Sequence, residues 1–226
     1  MSTETDKDKS SNNGQMNLAK VRRQYELGKL SRADMAIDPF VQFTKWYCDA
    51  EKACRYYPNN MFLSTVDSGG VPHSRTVLLK TLDDKGFVFF TNYNSRKAQN
   101  LEHNAAAAIT FFWEELERQV NISGIAEKVT DAESDEYFAT RPRGSQIGAW
   151  VSDQSAEIAD RDFLSQEQNR LEELYKDKPI PRPSHWGGIR ILPKRIEFWQ
   201  GQADRLHDRL EYTRQQDNWQ IKRLSP

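Results

Sequence analysis

The sequence predicts a mainly β domain, an antiparallel sheet curled into a barrel, with helices added to it. Apolar segments between residues 61 and 130 are separated by turn sequences such as DSGG at 67–70 and DDKG at 83–86, and short turns join antiparallel strands. A parallel sheet would need a helix at each crossover, and most of these connections are too short to hold one. The 226 residues suit a single domain of ordinary size.

Composition and charge exclude several classes of protein. The 32 Lys and Arg residues against 33 Asp and Glu residues give a net charge of −1, which disfavours a nucleic-acid partner bound by bulk electrostatics. Six Trp, eight Tyr and eleven Phe are too many aromatic residues for a disordered chain. Only 37% of residues are hydrophobic and the mean hydropathy is −0.83, so we expect a small core supplemented by a subunit interface or a ring-shaped ligand.

The sequence predicts a cytoplasmic protein without a membrane partner. No apolar run approaches the ~18 residues of a membrane span, and the charged N-terminus has no hydrophobic stretch typical of a secretory signal. Cys48 and Cys54 have neither metal nor disulfide spacing, which fits a reducing compartment. The four histidines are scattered along the chain, so no metal site is predicted.

The chain divides into a tail, a basic segment and one folded domain. Residues 1–15 are polar with almost nothing to bury, which predicts a disordered tail. Residues 16–36 form a basic N-terminal segment, and the domain spans residues 37–226. Its first helix is capped by Asp38, started by Pro39 and ended by Pro58. The further predicted elements are strands at 61–66, 71–82, 87–92, 105–113, 118–129, 188–200 and 210–224, and helices at 95–104, 131–140 and 160–176.

Cations at one predicted helix start indicate an anion site. The strand at 87–92 ends in a polar turn, and the next helix begins with Ser95, Arg96 and Lys97. Cations are unfavourable in a first helical turn, where free backbone N–H groups and the helix dipole attract negative charge. A bound anion, in particular a phosphate, would supply the missing charge. The alternative is a helix start that faces solvent.

Two further groups of polar residues are candidates for ligand contacts. Tyr137 and Arg141 are four residues apart and share one face of a predicted helix. With Ser145 they offer a cradle for a second phosphate, although a polar helix C-terminus is the alternative. Arg75 and Lys80 lie at opposite ends of the strand RTVLLK, one on each face. The alternative is an edge strand whose cations are simply solvated.

The last cluster lies near the C-terminus. Arg205, His207 and Arg209 alternate along the chain, so in an extended chain they project from one face. Three such groups repel each other unless something negative or π-rich covers them, and Trp199 lies nearby in the sequence. Two phosphate-sized sites, aromatic walls and no metal together predict a phosphorylated ring cofactor and a phosphorylated substrate.

Six motifs, in this order, resemble the pyridoxamine 5′-phosphate oxidase family: RTVLLK, FFTNYNSRKA, ERQV, RPRGSQIGAWVSDQS, FWQG and RLHDR. The resemblance implies a split β-barrel that works as a homodimer, with FMN at the subunit interface and a C-terminal dimerisation region. It implies oxidation of pyridoxamine and pyridoxine 5′-phosphate to pyridoxal 5′-phosphate, a step of vitamin B6 metabolism. The implied step is hydride transfer from C4′ to flavin N5, with O₂ reduced to hydrogen peroxide and ammonia released from the amine substrate.

The resemblance also implies roles for individual residues. FMN contacts are implied for Arg75, Val77, Leu78, Lys80, Phe90, Thr91, Arg96, Lys97, Gln119, Gln154, Ser155, Trp199 and Arg209. Substrate-phosphate contacts are implied for Lys80, Tyr137, Arg141 and Ser145. Arg205 and His207 are the implied catalytic residues against the substrate ring. Arg22 and Tyr25 match an N-terminal substrate-binding segment that closes over the site in relatives, a possible lid.

Two other functions remain open from the sequence. Another FMN-binding split-barrel protein, a reductase or a flavin carrier, would share RTVLLK and SRKA but has no reason to carry RPRGSQIGAW or RLHDR, which serve the substrate. A non-catalytic pyridoxal phosphate-binding protein would bind the product without flavin. An absorption spectrum separates the last function from the others, because only a flavoprotein shows flavin bands.

Overall fold

The computed structural model describes residues 18–19 and 24–226. The described residues form helices α1 (Pro39–Ala53), α2 (Arg96–His103), α3 (Asp131–Thr140), α4 (Arg143–Val151) and α5 (Arg161–Leu174). Their strands are β1 (Asn60–Val66), β2 (Pro72–Leu78), β3 (Thr81–Leu82), β4 (Phe87–Asn92), β5 (Ala106–Trp113), β6 (Arg118–Lys128), β7 (Trp186–Gln200), β8 (Asp208–Gln215) and β9 (Asn218–Leu224). The predicted tail at 1–15 and the predicted site residue Arg22 lie outside the described residues.

The strands form one antiparallel sheet that curls back on itself. From edge to edge the order is β2-β1-β5-β6-β7-β4-β3, and β8 and β9 extend the sheet from β7 as a hairpin. The edge strands β2 and β3 belong to one continuous chain segment, so the two edges approach each other and produce a split barrel. This confirms the predicted fold class. In residues 18–19 and 24–226, every helix is too short or too polar to cross a membrane.

The predicted strand at 71–82 is two strands, because the chain changes its pairing partner within it. β2 pairs with β1, whereas β3 pairs with β4. Leu79 N still donates to Asn59 O, at 2.9 Å, but Lys80 N already donates to Val88 O of β4, at 2.9 Å. The break therefore marks the point where the barrel closes.

Aromatic side chains fill the barrel between the sheet and α1. Asp38 caps α1 by accepting from Phe40 N at 2.7 Å, and the helix then directs Phe43 inward. Phe43 is 1% exposed, and its ring centroid lies 5.0 Å from that of Phe87 and 4.9 Å from that of Phe111. The other largest fully buried side chains of this core are Tyr212, Phe89, Phe198, Met61, Leu63, Ile109, Ile122 and Ile191.

A second, smaller core lies beneath α3, α4 and α5. Phe138, Ile147, Leu171 and Trp186 are buried there in one cluster. α4 is not predicted from the sequence, because two of its nine residues are glycines, which are poor helix formers. Burial of Ile147 and its neighbours overrides that local preference.

Two predictions near the C-terminus are wrong. The predicted strand at 210–224 is the hairpin β8–β9, which turns at Gln216, where φ is 52°. The common face inferred for Arg205, His207 and Arg209 in an extended chain is not formed, because Ala203–Arg205 is a 3₁₀ turn. Asp204 and Arg205 there have φ of 54° and 61°. Arg205 therefore precedes β8 and does not share a strand face with Arg209.

Candidate functional site

A cavity of about 400 Å³ opens beside the break between β2 and β3. It is walled by β2, β4, the start of α2, and α3 with α4. Ten of the predicted cofactor and substrate residues line it: Val77, Leu78, Lys80, Phe90, Thr91, Lys97, Tyr137, Arg141, Ser145 and Gln154. A larger groove of about 1030 Å³ beside α1 is lined by none of the predicted site residues.

Lys97 is a buried cation at the start of α2. It is 9% exposed, and its Nζ donates to Thr91 Oγ1 at 2.8 Å, to Gln154 Oε1 at 2.8 Å and to Ser95 Oγ at 3.1 Å. These acceptors are neutral, and no described carboxylate forms an ion pair with Lys97. Burial, and secondarily the neighbouring Arg75, lower the pKa of Lys97 to about 8. The cavity wall therefore holds a cation without a counter-charge.

Arg141 is a second cation of this kind. It follows the last residue of α3, and its guanidinium carbon lies 4.5 Å from the ring centroid of Trp186. Its Nη1 is buried and has no hydrogen-bond partner among the described residues, and burial lowers its pKa. A buried donor without an acceptor costs free energy, and an acceptor oxygen placed at Nη1 would remove that cost.

Three stacked aromatic rings form one wall of the cavity. Phe90 lies 3.9 Å from Tyr137 at an interplanar angle of 18°, and 5.5 Å from Trp186 at 15°, measured between ring centroids. Gly188 makes room for this stack, because a Cβ there would lie 2.9 Å from Phe90 Cε1. Burial raises the pKa of Tyr137, so its hydroxyl stays protonated and can donate to an anion.

Arg75 lies close to Lys97 without lining the cavity. Its Nη1 donates to Thr65 Oγ1 at 2.9 Å and to Leu63 O at 3.1 Å. Burial, and then the charge of Arg96, lower the pKa of Arg75. Three cations are thus gathered at one corner, and none of them pairs with a carboxylate of the described residues.

The start of α2 has no side-chain cap. Ser95 occupies the N-cap position, but its side chain makes no capping bond and its Oγ donates to Asn92 O at 2.7 Å. Arg96 N donates to Ser155 Oγ at 3.3 Å, which joins the loop after α4 to the helix start. No described side chain caps the next N–H group, that of Lys97, so the helix start can receive an anion.

The other predicted FMN residues lie in a row across three strands. Gln119 of β6 is opposite Trp199 of β7, which is opposite Arg209 of β8. Arg209 forms a two-point ion pair with Glu197, with Nε to Oε1 and Nη2 to Oε2 both at 2.9 Å. None of these residues lines the 400 Å³ cavity. A single chain therefore presents its predicted cofactor residues at two separate places.

Tyr25 and His207 lie beside this row. The ring of His207 lies 4.6 Å from that of Trp199, and the ring of Tyr25 lies 5.6 Å from each of them. Gln202 N donates to His207 Nδ1 at 3.1 Å, so a neutral imidazole carries its proton on Nε2. Burial, and then the charge of Arg205, lower the pKa of His207 and favour that neutral form. Arg205 itself is exposed.

Sequence reasoning missed several cavity residues, above all Trp186. It lies outside the six motifs and before the predicted start of its strand, although an aromatic residue next to a glycine pair was a usable signal. Asn92 and Ser152 belong to the motifs but were not selected; Asn92 Nδ2 donates to Ser152 O at 3.0 Å. Within the described ranges, no three His, Cys, Asp or Glu side chains are grouped to hold a metal ion.

The sequence is similar to a known family over most of its length. The family described as pyridoxamine 5′-phosphate oxidase matches residues 49–175, and a pyridoxine 5′-phosphate oxidase C-terminal dimerisation region matches residues 186–226. Proteins named pyridoxine/pyridoxamine 5′-phosphate oxidase from Trichormus variabilis and Cupriavidus necator are each 52% identical over 210 residues. The alignments cover 92% of this chain and 98% and 99% of those proteins, respectively.

Two solved structures share the fold. PhzG from Burkholderia lata 383, in complex with tetrahydrophenazine-1-carboxylic acid, has a TM-score of 0.81 and 31% identity, over 86% of this chain and 95% of that one. A pyridoxamine 5′-phosphate oxidase-related, FMN binding protein from Nostoc punctiforme has a TM-score of 0.67, over 85% of this chain and all of that one. The second is 15% identical, so it bears on the fold alone.

Proposed function

The chain belongs to the pyridoxamine 5′-phosphate oxidase family, and from that premise we propose that it oxidises pyridoxamine and pyridoxine 5′-phosphate to pyridoxal 5′-phosphate with FMN as cofactor. The substrate loses a hydride from C4′ and a proton from its amine or alcohol, and O₂ takes up two electrons and two protons to give hydrogen peroxide. From the amine substrate the resulting imine is hydrolysed and ammonia leaves. The bound flavin would supply the hydride acceptor and the reaction with O₂.

The observation that carries this proposal is the pair of uncompensated cations in one cavity. Lys97 is buried with neutral acceptors only, and Arg141 has a buried Nη1 without a partner. Each is the complement of an anionic group. Two phosphate esters, one on the cofactor and one on the substrate, satisfy both.

The α2 corner suits the phosphate of FMN. Lys97, Arg75 and Arg96 converge there, and the helix start offers backbone N–H groups. Gln154 and Ser155 tie the loop after α4 to the same corner, through Lys97 Nζ and Arg96 N. These residues would hold the cofactor's phosphate.

The other end of the cavity suits the substrate phosphate. Arg141, Tyr137, Ser145 and Lys80 all line it, and together they offer a guanidinium, two hydroxyl donors and an ammonium group. The guanidinium of Arg141 lies over the ring of Trp186, a cation–π contact that helps to hold it in place. A phosphate fixed here would orient the substrate ring over the flavin, so that binding energy remote from C4′ serves the reaction.

Arg205 and His207 would act on the substrate ring. The exposed guanidinium of Arg205 can stabilise negative charge that develops on the 3-oxygen. His207, whose Nδ1 accepts from Gln202 N, presents a protonated Nε2 that can donate a hydrogen bond to that oxygen. Taking up the proton of the 4′ substituent would instead require the bond from Gln202 N to break first.

We also propose that the site is completed by a second copy of the chain. Trp199, Arg205, His207 and Arg209 all lie within the matched dimerisation region, and they lie apart from the cavity. In a symmetric homodimer, each cavity can receive this cluster from the partner. Arg141→Ala and Arg205→Ala homodimers should both be nearly inactive at low substrate concentration. Mixing their unfolded chains and refolding them should restore about a quarter of wild-type activity, because half of the dimers regain one complete site. No recovery would overturn the shared site.

The function itself is tested by spectroscopy. The purified protein, supplied with FMN and gel-filtered, should retain flavin absorption bands. Pyridoxine 5′-phosphate added without O₂ should bleach these bands, whereas pyridoxine without phosphate at the same concentration should not. Retained flavin without bleaching would point to a reductase or flavin carrier, and a colourless protein would overturn the cofactor assignment.

A further inference from the structure

Glu117 occupies an unusual position at the turn between β5 and β6. It is 3% exposed, and its backbone is left-handed, with φ of 52° and ψ of 37°. Its Oε2 accepts hydrogen bonds from Glu26 N at 2.7 Å and from Leu27 N at 2.9 Å. A buried carboxylate thus binds two consecutive backbone N–H groups of a segment 90 residues away in the sequence.

The backbone of Glu117 binds the turn after β7. Its carbonyl oxygen accepts from Gly201 N at 2.8 Å and from Gln200 Nε2 at 3.2 Å. One residue therefore connects the N-terminal segment, the β5–β6 turn and the start of the turn that leads to Arg205 and His207.

Tyr25 fills the space between these connections. Its ring lies against Trp199 and His207. The contact with Gly201 is so close that a Cβ on that residue would lie 2.7 Å from Tyr25 Cγ. Tyr25 is thus held by its ring contacts with Trp199 and His207 and by its close fit against Gly201, which has no side chain. The backbone after Tyr25 is held separately, because the next two N–H groups donate to Glu117.

We propose that Glu117 is a positioning residue that latches the segment carrying Tyr25 onto the Gly201 turn, so that Tyr25 is held over His207 for the bound substrate. Hydrogen bonds from backbone N–H groups to a carboxylate are stronger than bonds between neutral groups. A buried carboxylate with two such donors therefore holds a short segment that has little buried surface of its own. The significance of Tyr25 for the substrate rests on the proposed function, whereas the latch itself does not.

The test compares Glu117→Ala and Glu117→Gln with Glu115→Gln, an exposed glutamate of the same turn, in the FMN-loaded protein. Hydrogen exchange of the peptide 24–30 should accelerate roughly tenfold or more in Glu117→Ala, as expected for loss of a charge-assisted bond. It should accelerate less in Glu117→Gln, which keeps one acceptor oxygen, and not at all in the control. KM for pyridoxine 5′-phosphate should be unchanged in the control, higher in Glu117→Gln and highest in Glu117→Ala. kcat should stay within about twofold of the wild-type value, because the lost interaction serves substrate and transition state equally.

A second variant, at Gly201, changes the position of Tyr25 directly instead of through Glu117. Gly201→Ala displaces the Tyr25 ring without touching the Glu117 carboxylate, so it should raise KM likewise. The double variant Glu117→Gln/Gly201→Ala should have a KM little higher than that of Gly201→Ala alone, because both changes disturb the same placement of Tyr25.

Several results would overturn the latch. Unchanged exchange of residues 24–30 in Glu117→Ala is one, and faster exchange spread equally through β5 and β6 is another, because it would show a purely structural role. Faster exchange with an unchanged KM would refute the link to the substrate. If the wild-type protein does not oxidise the substrate, the proposed function fails, while the exchange measurement still decides the latch.

Discussion

The lowered pKa of Lys97 predicts how FMN binding depends on pH. In the ligand-free protein this pKa is about 8, because the ammonium group is buried. A phosphate monoester has its second pKa near ~6, so FMN stays dianionic between pH 7 and pH 9. Lys97 is the group that changes, and only its protonated form offers a charge to the phosphate.

The size of the effect follows from the fraction of protonated Lys97. For the pKa of about 8, that fraction falls from about nine-tenths at pH 7 to about one-tenth at pH 9. FMN affinity should therefore weaken about tenfold over this range, or by about 1.4 kcal/mol. Quenching of flavin fluorescence on addition of apoprotein measures this, and riboflavin, which lacks the phosphate, should show no such dependence.

A matched variant isolates the titrating group. Lys97→Arg keeps a cation that stays charged at pH 9, so its ratio of FMN to riboflavin affinity should be flat with pH. A wild-type ratio that is equally flat from pH 7 to pH 9 would refute the reasoning, because it would mean that Lys97 does not face the phosphate.

Three further predictions concern the substrate clamp and the stability of the fold. Arg141→Lys keeps the charge but loses the plane stacked on Trp186, so KM for pyridoxine 5′-phosphate should rise about tenfold with kcat little changed; an unchanged KM contradicts the clamp. The pKa of Glu133 is lowered to about 2, chiefly by its hydrogen bond from Arg190. Glu133→Gln should therefore cost roughly 1 kcal/mol at pH 7, allowing for solvent screening, and the cost in urea unfolding should vanish as pH falls through that pKa; a cost independent of pH contradicts this. Phe43→Ala should cost about 3–5 kcal/mol in urea unfolding, and a loss under about 1 kcal/mol would contradict its place in the core.

The elements that the sequence predicted correctly are those with local signals at both ends. β4 has the predicted bounds, because an apolar run lies between the DDKG turn at 83–86 and a polar turn. α3 also has the predicted bounds, because Thr130 and Glu133 form a capping box at its start. The break after β2 has no such signal, since it depends on which strand lies beside the chain when the barrel closes. The 3₁₀ turn before β8 is likewise set by its neighbours.

For the candidate site, the motifs pointed to residues but not to their arrangement. Ten predicted residues lie around one cavity, while Gln119, Trp199 and Arg209 lie in a row elsewhere. Nothing in a linear sequence distinguishes two places on one chain from one place shared by two chains. That Arg209 contacts FMN stays a prediction. Its ion pair with Glu197 also stabilises the row of Gln119, Trp199 and Arg209.

Among the described residues, a buried structural cation has carboxylate partners, whereas the two buried or half-buried cations of the candidate site have none. Arg190 is buried but pairs with Asp83 at 2.6 Å and with Glu133 at 2.7 Å, and its charge is thereby balanced within the protein. Lys97 is also buried and Arg141 is half-buried with a buried Nη1, yet among the described residues they have only neutral acceptors or a ring face. Folding alone would favour a carboxylate partner or an apolar side chain at such positions, which is why we propose that a ligand supplies the negative charge.

That arrangement links the stability of the protein to its cofactor. The pKa of Lys97 in the folded, ligand-free protein lies below its ordinary value of 10.5, so the unfolded chain binds this proton more tightly than the folded chain. The difference corresponds to roughly 3 kcal/mol of lost stability at pH 7, and the ligand-free protein regains it as pH rises from about 8 to 10.5. A bound phosphate removes the same penalty by keeping Lys97 charged. FMN should therefore raise the unfolding temperature more at pH 7 than at pH 9, whereas an equal rise at both pH values would mean that the buried lysine and the cofactor are not coupled.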